Sequence, residues 1–496
     1  MSDPRCRWLP RHHGNISLES GWEQLVRSGE SMTNSRKAGP GSTSLGYFHG
    51  IDVPDYGKIL NCMRCGLCLP HCPTYSISRI ERSSPRGRVA LIRAVADGRL
   101  ELSAGVANEV YFCLDCRACE TACPAGVRVG YLIEAARSQV EQHRRRPLWQ
   151  RVLRWFVFEN LFLYAPRLER LAFPLRMYQK TGLRRVVHKL RVLNMFPQVL
   201  QFMEEIVPDG LERPLLRTIP EETPPEDKER GRVGFFLGCM MSLLFSTASR
   251  ASIELLTRSG CRVITPKTQR CCGAPLASEG YRNKVLDMAR FNIALFERCN
   301  VDYIVTDCAA CGCSLKEYGE LLKDDPDYAK RARDFSGKVR DISEFLANWP
   351  HYRQPMNNCA LRRFCRCASN RYSAEGGSEE APIRIAYDQP CHLQHAQGIS
   401  KEPLRLLRQI PGVTYVDLPE SDWCCGSAGV YNIRHFETSM RILERKMANI
   451  ERVSPSLLVT ANPGCLLQLR YGVKKRNLPI QVCHLTEVLA AAGDHD

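Results

Sequence analysis

The two commonest nucleotide-binding loops are missing from this 496-residue chain. No G-x-G-x-x-G follows a strand-like run, and no G-x-x-x-x-G-K-S/T phosphate loop is present. No run of apolar residues reaches the 18 or so that a membrane-crossing helix needs. The opening stretch "MSDPRCRWLPRHHGN" is polar and unlike a secretory signal, so the expected setting is cytoplasmic, with thiols kept reduced. Acidic residues are in short supply, 53 against 69 Lys and Arg, giving a formal net charge of +16. That charge comes with neither a recognition-helix motif nor aromatic-basic modules, which argues against a nucleic-acid partner.

Cysteine is abundant instead, at 25 residues. In a chain this long, with 44% hydrophobic residues, packing can stabilise the fold without disulfides, so metal ligation is the more direct use of thiols. "NCMRCGLCLPHCPTY" places Cys62, Cys65, Cys68 and Cys72 ahead of Pro73, and "YFCLDCRACETACPAG" repeats the pattern with Cys113, Cys116, Cys119, Cys123 and Pro124. A C-x2-C-x2-C-x3-C-P run binds one 4Fe-4S cubane through its first three thiolates, and its fourth cysteine ligates the other cluster. The expectation is therefore cluster 1 on Cys62, Cys65, Cys68 and Cys123, and cluster 2 on Cys72, Cys113, Cys116 and Cys119. Zinc sites favour two C-x2-4-C pairs and suit this spacing poorly. In "PRGR", Arg86 and Arg88 are candidates to offset cluster charge.

The chain divides by composition into a mobile arm (1–50), a two-cluster domain (51–145), a basic helical segment (146–216), a Pro- and Glu-rich linker (217–232) and a long α/β region. Between Arg144 and Arg191 stand 13 Lys or Arg against two acids, interleaved with aromatics in "LWQRVLRWFVFENLFLYAPRLERLAFPLRMY". Two readings stay open for it: an interfacial or subunit-docking element, or a helical linker with a basic outer face.

The α/β region repeats itself. Strand-like "RVGFFLGC", a helix, "CRVITP", the turn "CCGAP", a helix and "VDYIVTDCAACG" are answered by "IRIAYDQPCH", a helix, "VTYVDLP", "CCGSAG", a helix and "SLLVTANPGC". Cys239 corresponds to Cys391, and Cys272 to Cys425. Parallel sheets in two homologous repeats, 233–350 and 383–496, follow from this alternation. In the first, Cys239, Cys271, Cys272, Cys308 and Cys311 are expected at the carboxyl edge of the sheet, as a further iron-sulfur cluster or a redox thiol site. The second keeps Cys391, Cys424, Cys425 and Cys465 but has Gln468 where Cys311 would fall, leaving either a four-thiol site or a relic kept for packing. His392 and His395 are read as hydrogen-bonding a turn. Between the repeats, an insertion (351–382) carries Cys359, Cys365 and Cys367 without ligand spacing and is read as a surface loop.

"SSPRGRVALIRAV", "CHLQHAQG", "WCCGSAGVYN" and "TANPGCLLQL", with the quartets and the paired cysteines, resemble the iron-sulfur subunit of bacterial glycolate oxidase. More broadly they resemble the CCG-domain proteins, which include heterodisulfide reductase subunits and the iron-sulfur subunits of lactate and anaerobic glycerol-3-phosphate dehydrogenases. The resemblance implies an α+β multidomain chain, a ferredoxin-like module followed by two CCG repeats. It implies an electron-transfer subunit of an oxidoreductase complex acting on a CH-OH donor. FAD would lie on partner glycolate oxidase subunits, and the acceptor would be a quinone or another membrane carrier; peripheral contact of residues 144–191 with the inner face of the cell membrane is a separate reading, from the basic and aromatic pattern of that segment. The resemblance also implies that loss of the last cysteine in the second repeat is usual. Catalysis at the CCG thiols is the competing reading.

Overall fold

The computed structural model describes residues 43–50, 52–143, 147–156, 165–190, 192–355, 361 and 383–493. Most of the expected N-terminal arm, and Cys359, Cys365 and Cys367 of the expected insertion, lie outside the described residues.

The ferredoxin-like module is built from short helices. Pro85–Ala96 (α1) starts where Ser84 Oγ accepts from the Gly87 amide at 3.0 Å and Pro85 fills the first turn, where its missing N–H costs nothing. Ser103 caps Ala104–Tyr111 (α2) in the same way through the Val106 amide. Val89, Ile92 and Val95 recur on one face of α1 and pack with Val106 and Val110 of α2 and with Leu132 and Ile133 of Val129–His143 (α3). Each such side chain, fully buried, is worth about 1.5–3 kcal/mol of transfer free energy. These helices carry the loops on which the two cysteine quartets sit.

In the first repeat, Glu222–Thr223 (β1) pairs antiparallel with Cys261–Ile264 (β3), within the stretch read from composition as linker. Gly231–Phe235 (β2), β3, Tyr303–Thr306 (β4) and Val339–Asp341 (β5) run parallel in the order β3-β2-β4-β5. In the second repeat, Ile383–Tyr387 (β6), Val413–Tyr415 (β7), Leu457–Thr460 (β8) and Gln481–His484 (β9) are all parallel in the order β7-β6-β8-β9. Each parallel set therefore reads second, first, third, fourth, the same topology twice. One continuous core joins both sheets, from Val233 and Phe235 to Leu457 and Val459.

The strands end earlier than hydrophobicity alone suggests. Cys239 opens a helix, Cys239–Leu244 (α4), and "CAACG" lies at the start of Ala309–Lys316 (α5) with Cys308 as its N-cap. Cys391 likewise opens Cys391–Gln397 (α6), and Cys465 sits in the first turn of Pro463–Lys475 (α7). A small thiol that accepts a backbone N–H explains why the chain turns into helix there: Cys308 Sγ accepts from the Cys311 amide at 3.4 Å.

The basic segment contributes Leu148–Arg154, Ala165–Lys180, Leu183–Lys189 and Gln198–Glu205 (α8). Arg184 is buried, donating to Glu204 Oε1 at 2.7 Å and pairing with Asp209. Much of the apolar content faces outward, including Leu148, Trp149, Val152, Trp155, Phe156, Phe173, Met177, Met195, Phe196, Leu200 and Met203. Among the described residues no helix is long and apolar enough to cross a membrane.

Candidate metal centres

The quartets do not form two groups in sequence order. One small cavity is bounded by Cys62, Cys65 and Cys68 of the first quartet together with Cys119 and Cys123 of the second. A second is bounded by Cys72 together with Cys113, Cys116 and Cys119. Pro73, the first residue of Pro73–Ser78, starts a helix directly after Cys72, so the chain leaves the first loop at the point where Cys72 is handed to the second cavity. Among the described residues no three His, Cys, Asp or Glu side chains close around a single ion; the thiols stand around cavities instead.

The donor sets are sulfur only, and cations lie beside them. Arg88 is buried, donating to Glu109 O at 2.8 Å and Thr74 Oγ1 at 3.0 Å. Burial opposes its charge, but Cys113, Cys72 and Glu109 outweigh that and hold it firmly protonated. Arg86, half-buried, borders the first cavity, bonding Glu81 and the carbonyl of Arg64 in the first loop. Arg117, inside the second quartet, is buried among Asp115, Glu134 and Glu317. Burial pushes the Cys119 and Cys116 thiols up, and neighbouring thiols add to it: Cys116 first for Cys119, and Cys391 of the second repeat first for Cys116. A polynuclear cation that displaces those protons suits both cavities, with Arg88 and Arg117 bordering the second and Arg86 the first to balance the resulting anion.

The first repeat brings its five thiols together. Cys239 Sγ lies 3.8 Å from Cys271 Sγ; Cys271 is hydrogen-bonded to Cys272, Cys272 to Cys311, and Cys311 to Cys308. Donation from Cys239 and then Cys272 pulls the Cys271 pKa well below the ordinary thiol value, with amide donors of Gly273 and Cys272 assisting against burial. In the second repeat Cys425 Sγ is 3.4 Å from Cys465 Sγ, the free Cys424 thiol lowers the Cys391 pKa, and Cys391 Sγ is 3.5 Å from His392 Nδ1. His395 reaches Thr121 and the carbonyl of Asp422. Gln468 is fully buried, accepting from Asn432 Nδ2 and donating to Ser439 Oγ, each at 3.1 Å, so its amide is satisfied without a metal.

The glycine after each cysteine pair has a backbone reason. Gly273 has φ +94° and Gly426 φ +90°, and a Cβ on Gly426 would stand 2.8 Å from Ser439 O. Only glycine adopts this conformation without strain. Gly426→Ala is expected to cost about 1–3 kcal/mol, read as a lower thermal midpoint of the full chain.

Several residues that motif spacing did not single out tie these sites together. Asn462 spans the two repeats: its Oδ1 accepts from the Ala310 amide at 3.2 Å and faces Cys308 Sγ at 3.8 Å, while its Nδ2 faces Cys465 Sγ at 3.7 Å. Leu114 and Cys116 pack with Trp423, Cys424, Tyr431 and Cys391, so the second cavity abuts the second repeat. Lys446 and Asp388 form an ion pair at 2.5 Å below the second thiol site, both essentially inaccessible to solvent. The only sequence hint of Arg117 was a charge placed inside a ligand loop. For Asn462 and the Lys446–Asp388 pair, which act across elements distant in sequence, there was none.

Residues 58–127 match the family model of a 4Fe-4S dicluster domain, 149–207 that of the glycolate oxidase iron-sulfur subunit linker region, and 233–316 and 385–470 that of a cysteine-rich domain. The chain is 38% identical over 444 residues to the probable glycolate oxidase iron-sulfur subunit of Bacillus subtilis, covering 89% of this chain and 95% of that one. It is 31% identical over 412 residues to the glycolate oxidase iron-sulfur subunit of Escherichia coli, covering 82% and 89%. Lactate utilization protein A of Geobacillus thermodenitrificans is 29% identical over 258 residues, 52% of this chain and 98% of that one.

Proposed function

Because the chain belongs to the family of glycolate oxidase iron-sulfur subunits, we propose that it carries electrons from a partner flavoprotein, which oxidises glycolate to glyoxylate, to an acceptor reached through its paired-cysteine repeats. Cys62, Cys65, Cys68 and Cys123 would hold one 4Fe-4S cluster, and Cys72, Cys113, Cys116 and Cys119 the other. Such a cluster, when bound, takes up and returns one electron at a potential tuned by charge, hydrogen bonds and burial. The observation that carries this reading is continuity: Cys119 borders both cavities, and Cys116 lies against Cys391 and Cys424.

Entry is assigned to the first cavity because it is the exposed one. Cys65 is open to solvent, and Met63 and Leu67 beside it are 70% and 56% exposed, an apolar rim suited to a protein partner. Met63→Glu is expected to weaken capture of the flavoprotein about tenfold or more while leaving iron content unchanged, because a charge there would be buried unpaired at the interface. Pull-down with the partner subunits checks this. The basic, aromatic surface of 147–156, 165–190 and 192–200 supports contact with anionic lipid at the inner face of the membrane.

The experiment on function uses the complex purified anaerobically. Glycolate added in excess is expected to bleach the iron-sulfur absorbance; bleaching with lactate alone would reassign the substrate, and bleaching with neither would remove the hydroxy-acid reading. A second reading, reduction of a disulfide substrate at the first repeat, is favoured by its five clustered thiols and the lowered Cys271. Rapid reoxidation of the reduced chain by a disulfide would support it.

A further inference from the structure

A cleft of about 820 Å³ opens in the basic segment, and no cysteine lies on it. Its walls come from the C-terminal end of Ala165–Lys180, the start of Leu183–Lys189, the turn at 209–213, Thr218 and Arg250. Six of the side chains on it are cations, Arg176, Lys180, Arg184, Arg185, Arg213 and Arg250, against two acids, Asp209 and Glu212. The acids are already engaged. Asp209 pairs with Arg184, which also donates to Glu204 Oε1 at 2.7 Å, and Glu212 accepts from Ser246 Oγ at 2.8 Å. Arg176 and Arg250 hold the walls, donating to Leu211 O at 3.3 Å and to Thr218 Oγ1 at 3.1 Å. Gln179 donates to Pro208 O at 2.8 Å and accepts from the Leu211 amide at 3.1 Å, which ties the turn carrying Arg213 to the helix.

Three cations are left over. The side chains of Lys180, Arg185 and Arg213 are exposed and make no hydrogen bond or ion pair among the described residues. Uncompensated like charges around a concavity repel one another and focus a field that a bound anion relieves. The same two helices supply an apolar flank. Phe173 and Met177, one turn apart, are exposed on the helix that provides Arg176 and Lys180, and exposed Leu183 and Val186 bracket Arg184 and Arg185 on the next. The ligand that satisfies both features is an anion with a hydrocarbon body.

We propose that this cleft binds a phosphate-bearing anion, the head group of an acidic phospholipid, with Arg185 and Arg213 bonding the phosphate oxygens, Lys180 adding a third charge, and the acyl chains lying over Phe173, Met177, Leu183 and Val186. The planar fork of a guanidinium matches two phosphate oxygens at once, which a lysine cannot do. Clusters of Lys and Arg beside an apolar membrane-facing surface are the usual readers of such head groups. The choice of a lipid as the phosphate's carrier rests on the membrane contact read above for this segment. Recognition of the phosphate itself does not, and neither depends on the electron relay.

The test is calorimetric binding of monomeric dihexanoyl phosphatidylglycerol, and of inorganic phosphate, to the anaerobically prepared full chain. Both are expected to saturate one site and to compete for it, the lipid about tenfold tighter or more because its chains bury apolar surface. Arg185→Gln with Arg213→Gln should lower the affinity for both ligands about tenfold or more, the loss of charge-assisted hydrogen bonds. Neither side chain has a partner within the protein, so the fold is not at stake. Arg170→Gln with Lys189→Gln takes the same charge from the same segment outside the cleft, and at physiological salt should change affinity about twofold or less. Equal loss in the two double variants, or no saturable site, would overturn the proposal, and equal affinity for the two ligands would overturn the lipid as carrier. Flotation with phosphatidylglycerol vesicles on the same samples keeps the claims apart. Flotation without a saturable site refutes the cleft and spares the membrane contact; a saturable site without flotation keeps the cleft as a phosphate site and refutes the contact.

Discussion

Cys72→Ser is expected to remove the cluster gathered by Cys113, Cys116 and Cys119, not the one on the loop that contains Cys72. The substituted thiol borders the second cavity with those three cysteines, while Cys62, Cys65, Cys68 and Cys123 border the first. Iron in the ferredoxin-like module should fall by about half, since one of two four-iron clusters is lost. Passage of electrons to the repeats should fall further, by about a hundredfold or more, because the remaining cluster lies on the exposed side and no longer has a buried neighbour in series. Cys123→Ser should produce the opposite loss, removing the outer cluster, and with it the route from the flavoprotein. Iron and sulfide analysis with low-temperature EPR of both variants distinguishes the two cases. If Cys72→Ser instead removed the cluster of its own loop, ligation would follow sequence order and the exchange of fourth cysteines would be wrong.

Lys446→Met is expected to destabilise the second repeat by about 3–5 kcal/mol, the cost of leaving a buried charge without its partner. Lys446 Nζ pairs with Asp388 at 2.5 Å and donates to Ser421 O at 2.8 Å, and both side chains of the pair are withdrawn from water. Burial pushes the Asp388 carboxyl pKa up and Lys446 pulls it back, so removing the amine takes away the largest opposing effect while the Thr460 hydroxyl bond stays. Lys446 also helps lower the Cys425 pKa, after the thiols Cys424 and Cys465 and the Ser427 amide. The double variant Lys446→Met with Asp388→Leu should recover much of the lost stability, as apolar replacements of buried pairs commonly do. Denaturant midpoints of the single and double variants check the sign and the recovery. A single variant as stable as wild type would mean that Lys446 and Asp388 are not both ionised in the folded protein.

The sequence made the duplication legible because each repeat returns the same punctuation at a spacing of about 150 residues: Cys239 and Cys391, the cysteine pairs with Gly273 and Gly426, and the last strand before Cys308 or Cys465. Hydrophobic runs placed the first three parallel strands of each repeat but carried several too far, and they missed the fourth, β5 and β9. "VDYIVTDCAACG" stays apolar and small after β4 ends at Thr306, and nothing in that pattern marks Cys308 as a helix cap. The short helices α4 and α6 were missed for the same reason. The two-strand antiparallel contact of β1 was hidden by the proline and glutamate around Glu222 and Thr223, which read as linker. The quartets were legible as motifs, and each of the two cavities they border draws on both of them; the exchange of Cys72 and Cys123 as ligands, for which the trailing proline is the local signal, is our proposal. Asn462 and Arg117 were not legible, since their contacts exist only once the module and both repeats are packed together.

The most direct test is a stepwise reductive titration of the anaerobically prepared full chain, followed by EPR and metal analysis. The account predicts iron and sulfide, with two 4Fe-4S signals that broaden and couple magnetically as both become reduced, because Cys119 borders both cavities. Bound zinc without iron, or two cluster signals that stay independent at full reduction, would contradict it.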